Sequence, residues 1–204
     1  MTQQTVSIII AEDQNMLRGA LASLLELEDD FQIIGQARDG AEALEMSKAT
    51  LPDIVVTDIE MPNMTGIELA EHLQVAGLKT KVIVLTTFAR AGYLKRAMQA
   101  GVKGYLLKDA SSDDLAMAIR KVFQGRKVVD PELVIDALEH IDPLSEKERK
   151  ALKLASEGMS TEKIADSMFL SSGTVRNYLS NAASKLGAEN RIEAARIARS
   201  KGWL

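Results

Sequence analysis

Short apolar runs alternate with helical patterns through the first 125 residues, and this alternation limits the folds open to the chain. After the first run, for example, Leu17, Leu21 and Leu24 recur at the spacing of one helix face. The runs typical of buried strands are 7–11, 31–34, 54–57, 82–85 and 105–107. Strands and helices in this order form a parallel sheet with right-handed crossovers and helices on both faces. We therefore predict an α/β fold, a doubly wound five-stranded parallel sheet of the flavodoxin-like kind in the order 2-1-3-4-5.

The end of the chain, 144–204, contains no strand-like run. Ser145 and Glu148 have the spacing of a capping box, which opens a helix. Three further helical patterns follow, and a short polar turn at 170–173 separates two of them. Because a helix, a short turn and a second helix are the layout of a helix-turn-helix, we predict a second, small all-α helix-turn-helix domain.

The stretch 126–143 differs from both of these regions. Pro131 and Pro143 bracket a short amphipathic piece, and 131–143 holds four acidic residues and no basic one. This composition is typical of a solvated connector. We therefore predict a first domain over 1–125, a linker over 126–143 and a second domain over 144–204.

The net charge of −4 hides an asymmetry between the two ends of the chain. Residues 1–130 hold 14 basic and 18 acidic side chains, whereas 144–204 hold 11 basic and 7 acidic ones, so the second region is the candidate for binding a polyanion.

There is no cysteine, which excludes disulfides and thiolate metal sites. The start lacks a signal-peptide pattern and no apolar stretch approaches a membrane span, so we expect a cytoplasmic protein.

Charged and hydroxyl side chains stand at the ends of four predicted strands. Glu12 and Asp13 end the first strand, Asp58 the third, Thr86 the fourth and Lys108 the fifth. Ligands bind at the carboxyl ends of parallel strands, so we expect these groups at one edge. Three carboxylates that close repel one another unless a cation neutralises them, and oxygen ligands suit Mg²⁺. A carboxylate, a metal, a hydroxyl and a lysine are the groups needed to form and hold an acyl phosphate.

Each of these residues, taken alone, has a plainer interpretation. Asp58 fits a turn, and Glu12 and Asp13 fit the N-cap of the first helix. Lys108 fits a solvated loop lysine, and Thr86 a threonine at a strand end. Their joint placement at four strand ends favours a chemical site.

Residues 6–125 resemble the receiver domain of two-component response regulators. The resemblance rests on IAED at 10–13, TDIEMPNMTG at 57–66, LTT at 85–87 and GYLLK at 104–108. It implies that a sensor histidine kinase is a partner and that Asp58 accepts a phosphoryl group from the kinase histidine.

The same resemblance implies roles for the neighbours of Asp58. The implied ligands of Mg²⁺ (or Mn²⁺) are Glu12, Asp13, Asp58 and the backbone carbonyl of Glu60. Thr86 and Lys108 would contact the phosphoryl oxygens, and Thr86 and Tyr105 resemble the family's switch pair. A phosphate would draw the Thr86 hydroxyl inward, and the aromatic ring would fill the space vacated; the plainer interpretation is that Tyr105 is a half-buried strand aromatic.

One helical pattern near the end of the chain has a polar face suited to DNA. Val175 and Leu179 begin an apolar stripe, and Arg176, Asn177 and Ser180 fall off it. Arginine binds guanine edges or phosphates, and asparagine pairs with adenine. A solvated protein-contact helix is the alternative. From residue 171 onward there are six basic and two acidic residues, so one copy should bind DNA weakly, which favours a homodimer on two half-sites.

Residues 144–204 resemble the LuxR-type helix-turn-helix of the NarL/FixJ regulators. The matching stretches are PLS at 143–145, EGMSTEKIA at 157–165, GTVRNY at 173–178, SKLGA at 184–188 and NRIEAA at 190–195. The resemblance implies double-stranded DNA as the partner, with bases facing Arg176, Asn177 and Ser180 and the backbone facing Thr174, Lys185 and Arg191. The stretch FARAGY at 88–93 looks like that of DesR-like regulators of membrane-lipid desaturation.

Together these features predict a DNA-binding response regulator. Phosphorylation of Asp58 would promote dimerisation and promoter binding to control transcription, with RNA polymerase as a further partner. We expect no enzyme activity beyond Mg²⁺-dependent self-phosphorylation and self-dephosphorylation at Asp58.

One alternative is a constitutive DNA-binding regulator whose receiver is used only for dimerisation. Another is a metal-dependent phosphatase or nucleotide-binding protein, although the chain has neither Gly-x-Gly-x-x-Gly after the first strand nor a Walker A sequence.

Overall fold

The structure is a computed structural model and describes residues 5–87, 91–139 and 142–204. Part of the DesR-like stretch, 88–90, lies outside the described residues. The chain forms two compact units, and the main division falls within one helix, between Val134 and Ile135.

The first unit alternates strands and helices along its length. Its elements are β1 (Val6–Ala11), α1 (Asn15–Leu25), β2 (Phe31–Ala37), α2 (Gly40–Thr50), β3 (Ile54–Asp58), α3 (Gly66–Val75), β4 (Lys81–Thr86), α4 (Ala91–Gln99, of which 94–99 belong to this unit), β5 (Gly104–Leu107), α5 (Ser112–Phe123) and β6 (Val128–Val129). Helix α6 (Pro131–Glu139) contains the division between the units.

All of these strands belong to one parallel sheet in the order β2-β1-β3-β4-β5-β6. The predicted fold class and the order of the first five strands are confirmed. The sixth strand was not predicted: Val128 pairs with Gly104 and Val129 with Tyr105, within the stretch interpreted as a linker. Two residues are too few to display the alternation that identifies a strand, which explains the difference.

The central strands are buried on both faces, as their unbroken apolar sequences indicate. Ile8, Ile9 and Ile10 of β1 and Ile54 and Val55 of β3 have no exposed surface. On one face the sheet packs against Ala22 and Leu25 of α1 and Leu115, Ile119 and Val122 of α5. Because both faces are covered, polar groups are accessible mainly where the strands end.

The turn after β3 depends on a glycine at the start of α3. A Cβ on Gly66 would lie 2.0 Å from the carbonyl oxygen of Asp58, a distance that no side chain tolerates. Thr65 caps the helix: its hydroxyl accepts the Glu68 N–H, and the Glu68 carboxylate accepts the Thr65 N–H at 2.9 Å. The helix therefore begins close against the end of the strand that carries Asp58.

The second unit contains α7 (Glu146–Ser156), α8 (Thr161–Met168), α9 (Ser172–Lys185) and α10 (Arg191–Ser200). These four helices have side-chain N-caps at Ser145, Ser160, Ser171 and Asn190, which satisfy otherwise unbonded backbone N–H groups. The apolar stripe of α9 is buried together with Leu152 and Trp203. No helix in the described parts of the chain is long and apolar enough to cross a membrane.

Candidate functional site

The carboxyl edge of the sheet gathers the groups that the sequence placed at strand ends. β1 and β3 are hydrogen-bonded neighbours, so Glu12 and Asp58 lie side by side. β4 ends at Thr86, and the backbone N–H of Lys108 donates to the Thr86 carbonyl at 2.8 Å. Glu12 and Lys108 are 96 positions apart in the sequence. The fold therefore builds this edge from segments that are distant along the chain.

Three carboxylates and one ammonium group form the centre of the site. Oxygen atoms of Glu12, Asp13 and Asp58 all lie within 4.8 Å of one another. The Lys108 Nζ lies 2.7 Å from Glu12 Oε2 and 3.0 Å from Asp58 Oδ2. The Glu12 side chain is 1 % exposed and that of Asp58 12 %, whereas Asp13 is exposed. One ammonium thus bridges two buried carboxylates, with a third at the solvent boundary.

Burial decides the direction of the pKa shift at the two buried carboxylates but not at the lysine. It raises the pKa of Glu12, against the hydrogen bond from Lys108 that favours the charged form. It raises the pKa of Asp58 as well, against the positive charge of Lys108. Burial alone would lower the pKa of Lys108, but the hydrogen bond to Glu12 and the charge of Asp58 outweigh it, so this pKa is raised. The corner holds more negative charge than one ammonium neutralises, which suits a divalent cation with oxygen ligands.

Backbone N–H groups fix the orientation of the two buried carboxylates. The Ile59 N–H donates to Asp58 Oδ1 at 2.7 Å, and the Gln14 N–H donates to Glu12 Oε1 at 3.3 Å. Gln14, rather than Glu12, occupies the N-cap position of α1. The alternative interpretation, in which Glu12 or Asp13 caps the first helix, is therefore wrong.

The loop between β3 and α3 is tied to the start of α2. Asn63, whose φ is 62°, donates from Nδ2 to Asp39 Oδ2 at 2.7 Å. Asp39 is the N-cap of α2, and hydrogen bonds from the Glu42 N–H and from Asn63 lower its pKa. The Gly40 N–H donates to the Met64 carbonyl at 3.1 Å. Sequence reasoning missed this connection, because an Asp before a helix predicts the cap but not its partner in a distant loop.

The remaining predicted residues of the first unit are Thr86, Tyr105 and Glu60. Thr86 is buried at the end of β4, and Tyr105 of β5 has no exposed surface. Tyr105 is thus fully buried, not half-buried as the plainer interpretation had it. Glu60 is exposed, two residues after Asp58 in the loop.

In the second unit, the polar face of α9 is open to solvent. Arg176, Asn177 and Ser180 are exposed, and Arg176 Nε donates to the carbonyl of Ser172 in its own helix. Thr174 is half-buried in the first turn, where its N–H donates to the Ser171 hydroxyl at 3.1 Å.

Arg191 and Lys185, which were predicted to contact the DNA backbone, differ in their surroundings. Arg191 is exposed at the first residue of α10. Lys185 donates from Nζ to Glu148 Oε2 at 2.7 Å, and the Glu148 side chain is 6 % exposed. Burial would raise the pKa of Glu148, but hydrogen bonds from Lys185 and Ser145 outweigh it and lower this pKa. The capping box was visible in the sequence, whereas its lysine partner in another helix was not.

The class of protein follows from the two units taken together. A parallel sheet that holds an acidic cluster against a lysine at its carboxyl edge, joined to a helix-turn-helix, defines a DNA-binding response regulator. Proteins of this class are non-enzymatic transcription factors. In agreement, residues 8–120 match the response regulator receiver domain, and residues 142–198 match the bacterial regulatory proteins of the luxR family. The chain belongs to the response regulators with a LuxR-type DNA-binding domain, the NarL/FixJ family.

Individual relatives span the whole chain. It is 50 % identical to the transcriptional regulatory protein DesR of Bacillus subtilis, over 97 % of this chain and 98 % of DesR. The solved structure of the response regulator ChrA of a heme-sensing two-component system is 33 % identical, with a TM-score of 0.59 over 98 % of this chain and 99 % of ChrA. A structure of two RcsB dimers bound to two parallel DNAs is 25 % identical, with a TM-score of 0.68 over 97 % and 99 %. The chain is accordingly a regulator of transcription.

Proposed function

We propose that Asp58 is the phosphoacceptor and that its phosphorylation by a sensor histidine kinase controls DNA binding. The observation that carries this proposal is the position of Lys108 Nζ, 3.0 Å from Asp58 and 2.7 Å from Glu12. In the transfer, an Asp58 carboxylate oxygen forms a bond to phosphorus as the phosphorus–nitrogen bond of the kinase phosphohistidine breaks, and the imidazole leaves. Lys108 and the Thr86 hydroxyl stabilise the charge on the phosphoryl oxygens.

The carboxylates of Glu12, Asp13 and Asp58 fit a Mg²⁺ ion. They offer three oxygens within 4.8 Å of one another, and one ammonium leaves their charge only partly neutralised. The Glu60 backbone carbonyl is the further proposed ligand. Bound Mg²⁺ (or Mn²⁺) would supply positive charge to the transferring phosphoryl group. Self-phosphorylation from small donors and self-dephosphorylation at Asp58 belong to the same proposal.

The switch and the assembly follow from a charge added at Asp58. A phosphoryl oxygen would accept from the Thr86 hydroxyl and hold it inward, with Tyr105 in the buried position that it occupies here. We propose that this state favours a homodimer, because a helix-turn-helix with few basic residues needs two half-sites. The dimers named in the RcsB–DNA structure support this reasoning.

The proposed DNA-binding surface is the exposed face of α9. Arg176, Asn177 and Ser180 would face bases, while Thr174 and Arg191 would face the backbone. A contact between Lys185 and the DNA backbone requires its ammonium to reach a phosphate while it stays paired with Glu148.

The organisation proposed from the sequence is a receiver over 1–125, a linker over 126–143 and a DNA-binding domain over 144–204. The two family matches, 8–120 and 142–198, support it. A cytoplasmic location fits a protein whose partners are a kinase phosphohistidine and DNA, and RNA polymerase is the partner through which promoter binding would act.

Labelling by radioactive acetyl phosphate in the presence of Mg²⁺ tests the phosphoacceptor. We expect Asp58→Asn to abolish labelling, because the amide cannot form an acyl phosphate. Asp109→Asn, a change at an exposed aspartate next to Lys108, is the matched control and should keep wild-type labelling. Undiminished labelling of Asp58→Asn would refute the assignment.

The constitutive alternative is separated by DNA affinity. With beryllofluoride and Mg²⁺, which mimic the phosphorylated state, the proposal predicts tighter DNA binding by the wild type and no change for Asp58→Asn. Equal affinity of the wild type with and without the mimic would favour a receiver used only for dimerisation.

A further inference from the structure

Phe169 has a backbone conformation that L-residues with bulky side chains rarely adopt. It ends α8 as the C-cap with φ 55° and ψ 46°, in the left-handed region. In this region the Cβ of a non-glycine residue crowds its own backbone, which costs free energy. The Phe169 ring is 95 % exposed, so packing inside the unit does not offset this cost.

The other helices of the second unit end differently. Gly158 after α7, Gly187 after α9 and Gly202 after α10 all have positive φ, where glycine carries no penalty. The turn of a helix-turn-helix also often contains glycine. The second unit therefore uses glycine at three helix ends and keeps an exposed phenylalanine at the fourth, which is the turn that leads into α9.

Phe169 lies in the turn beside the end of α9 that approaches DNA in helix-turn-helix proteins. Phe169 precedes Ser171, the N-cap of α9, by two residues, which limits their Cα separation to about 7 Å. No acidic residue occurs from 167 to 188, so this surface does not repel a polyanion. Backbone strain at an exposed residue beside a binding surface commonly serves the binding.

We propose that Phe169 is a DNA contact whose ring packs against deoxyribose carbons of the backbone beside the groove that receives α9. This inference rests on the proposed function of α9. The turn lies before the helix, outside the stretch that carries Arg176 and Asn177, so the ring contacts sugar rather than base edges. Such a contact adds affinity without charge and without reading the sequence.

Phe169→Gly separates the ring from the backbone strain, because glycine relieves the strain and removes the ring. The structure offers a matched control in Leu51, the C-cap of α2, which has φ 52° and is 65 % exposed in the first unit. Leu51→Gly relieves the same kind of strain far along the chain from α9. Both changes should leave the unfolding midpoint unchanged or raise it, since they remove a crowded Cβ.

DNA affinity of the full chain is measured with beryllofluoride and Mg²⁺ present. The probes are a duplex selected by the wild type from a random pool and a scrambled duplex of the same length. Phe169→Gly should weaken binding roughly fivefold on both duplexes, the loss expected for part of a phenylalanine side chain. Leu51→Gly should bind as the wild type does. The slope of log affinity against log salt should stay the same for Phe169→Gly and become shallower for Arg191→Ala, because Arg191 is the arginine proposed to face the DNA backbone.

The outcomes separate this inference from the function on which it rests. Wild-type affinity for Phe169→Gly, together with weaker binding by Arg176→Ala, would overturn the role of Phe169 and leave the role of α9 intact. A loss confined to the selected duplex, or a changed salt slope, would also overturn it. Phe169→Asn, which tolerates positive φ, should reproduce the loss if Phe169→Gly proves poorly folded. Absence of DNA binding by the wild type itself would refute both.

Discussion

The acidic corner of the first unit and the polar face of α9 are built in opposite ways. Glu12 and Lys108 come from positions 96 residues apart, and their charges are buried and paired with each other. Arg176 and Asn177 are neighbours in one helix and are exposed. A buried, preorganised set of charges can stabilise a transition state without rearrangement. An exposed polar face gains most of its interactions only when a partner arrives.

The ion pair between Lys185 and Glu148 does not fit this contrast. Lys185 lies on the DNA-binding helix, yet its ammonium pairs with the nearly buried Glu148 of α7. In this respect α9 resembles the corner: a charge from another helix holds it in place. This contrast predicts that the basic residues proposed to bind DNA divide into those that hold the second unit together and those that contact DNA directly.

The largest effect that we predict follows removal of the corner's ammonium. Lys108→Met should slow labelling of Asp58 by acetyl phosphate roughly a hundredfold, the loss typical of one preorganised donor. Mg²⁺ should bind the variant more tightly, because no ammonium competes for Glu12 and Asp58. Rates of labelling and Mg²⁺ titrations measure the two effects. Lys79→Met, at an exposed lysine, should change neither. Labelling within twofold of the wild type would show that Lys108 does not contact the phosphoryl group.

A smaller effect is expected at Lys185, which lies on the DNA-binding helix but pairs with the nearly buried Glu148. Lys185→Met should lower the free energy of unfolding of the second unit by about 1 kcal/mol, because it removes a donor from buried Glu148 while the lysine itself is half-exposed. Arg191→Met should leave that free energy unchanged and weaken DNA binding. Urea unfolding followed by the fluorescence of Trp203, the only tryptophan, reports on this unit. A stability-neutral Lys185→Met with weakened DNA binding would move Lys185 to the DNA-contact group.

The smallest effect concerns pH and compares two aspartates of the first unit. Burial raises the pKa of Asp58, so its ionised form destabilises the fold above the unfolded-state pKa of about 3.9, and this penalty disappears as the pH falls to that value. Hydrogen bonds from Arg120 lower the pKa of Asp30, so its ionised form stabilises the fold above the same pH, and this gain disappears as the pH falls through its folded-state pKa.

Thermal unfolding of Mg²⁺-free protein, followed by circular dichroism, measures this contrast. At pH 7, Asp58→Asn should raise the midpoint by a few degrees and Asp30→Asn should lower it, corresponding to roughly 1 kcal/mol each. The Asp58→Asn difference should shrink towards pH 4, whereas the Asp30→Asn difference should persist to about pH 4 and shrink only below it. Equal signs for the two variants would contradict the assignment of burial as the dominant influence at Asp58.

The sequence predicted the corner better than the contacts that support it. Asp58 and Lys108 each follow an apolar run, and the rule that such strands end at one edge is independent of side-chain detail. The Asp39–Asn63 hydrogen bond and the Lys185–Glu148 pair join segments without a periodic signal, so only three-dimensional packing reveals them. Strand β6 was not predicted for a different reason: its two residues are too few to show the alternation that identifies a strand.

The helix ends show the same limit. Gly158 and Gly187 mark the ends of α7 and α9 in the sequence, because glycine is favoured where φ is positive. Phe169 carries no such signal, since a phenylalanine after a helix does not predict a left-handed conformation. Among the four helix ends of the second unit, Phe169 is the one that departs from local preference, and it is the residue for which we infer a contact outside the chain.

The most direct test of the account is the molar mass of the full-length chain by light scattering, with and without beryllofluoride and Mg²⁺. If a charge at Asp58 changes the shape of the receiver and promotes assembly, the wild type should shift from the mass of one chain to that of two when the mimic is added. Asp58→Asn should keep the mass of one chain under both conditions. An unchanged mass for the wild type, or an equal shift for Asp58→Asn, would contradict the account.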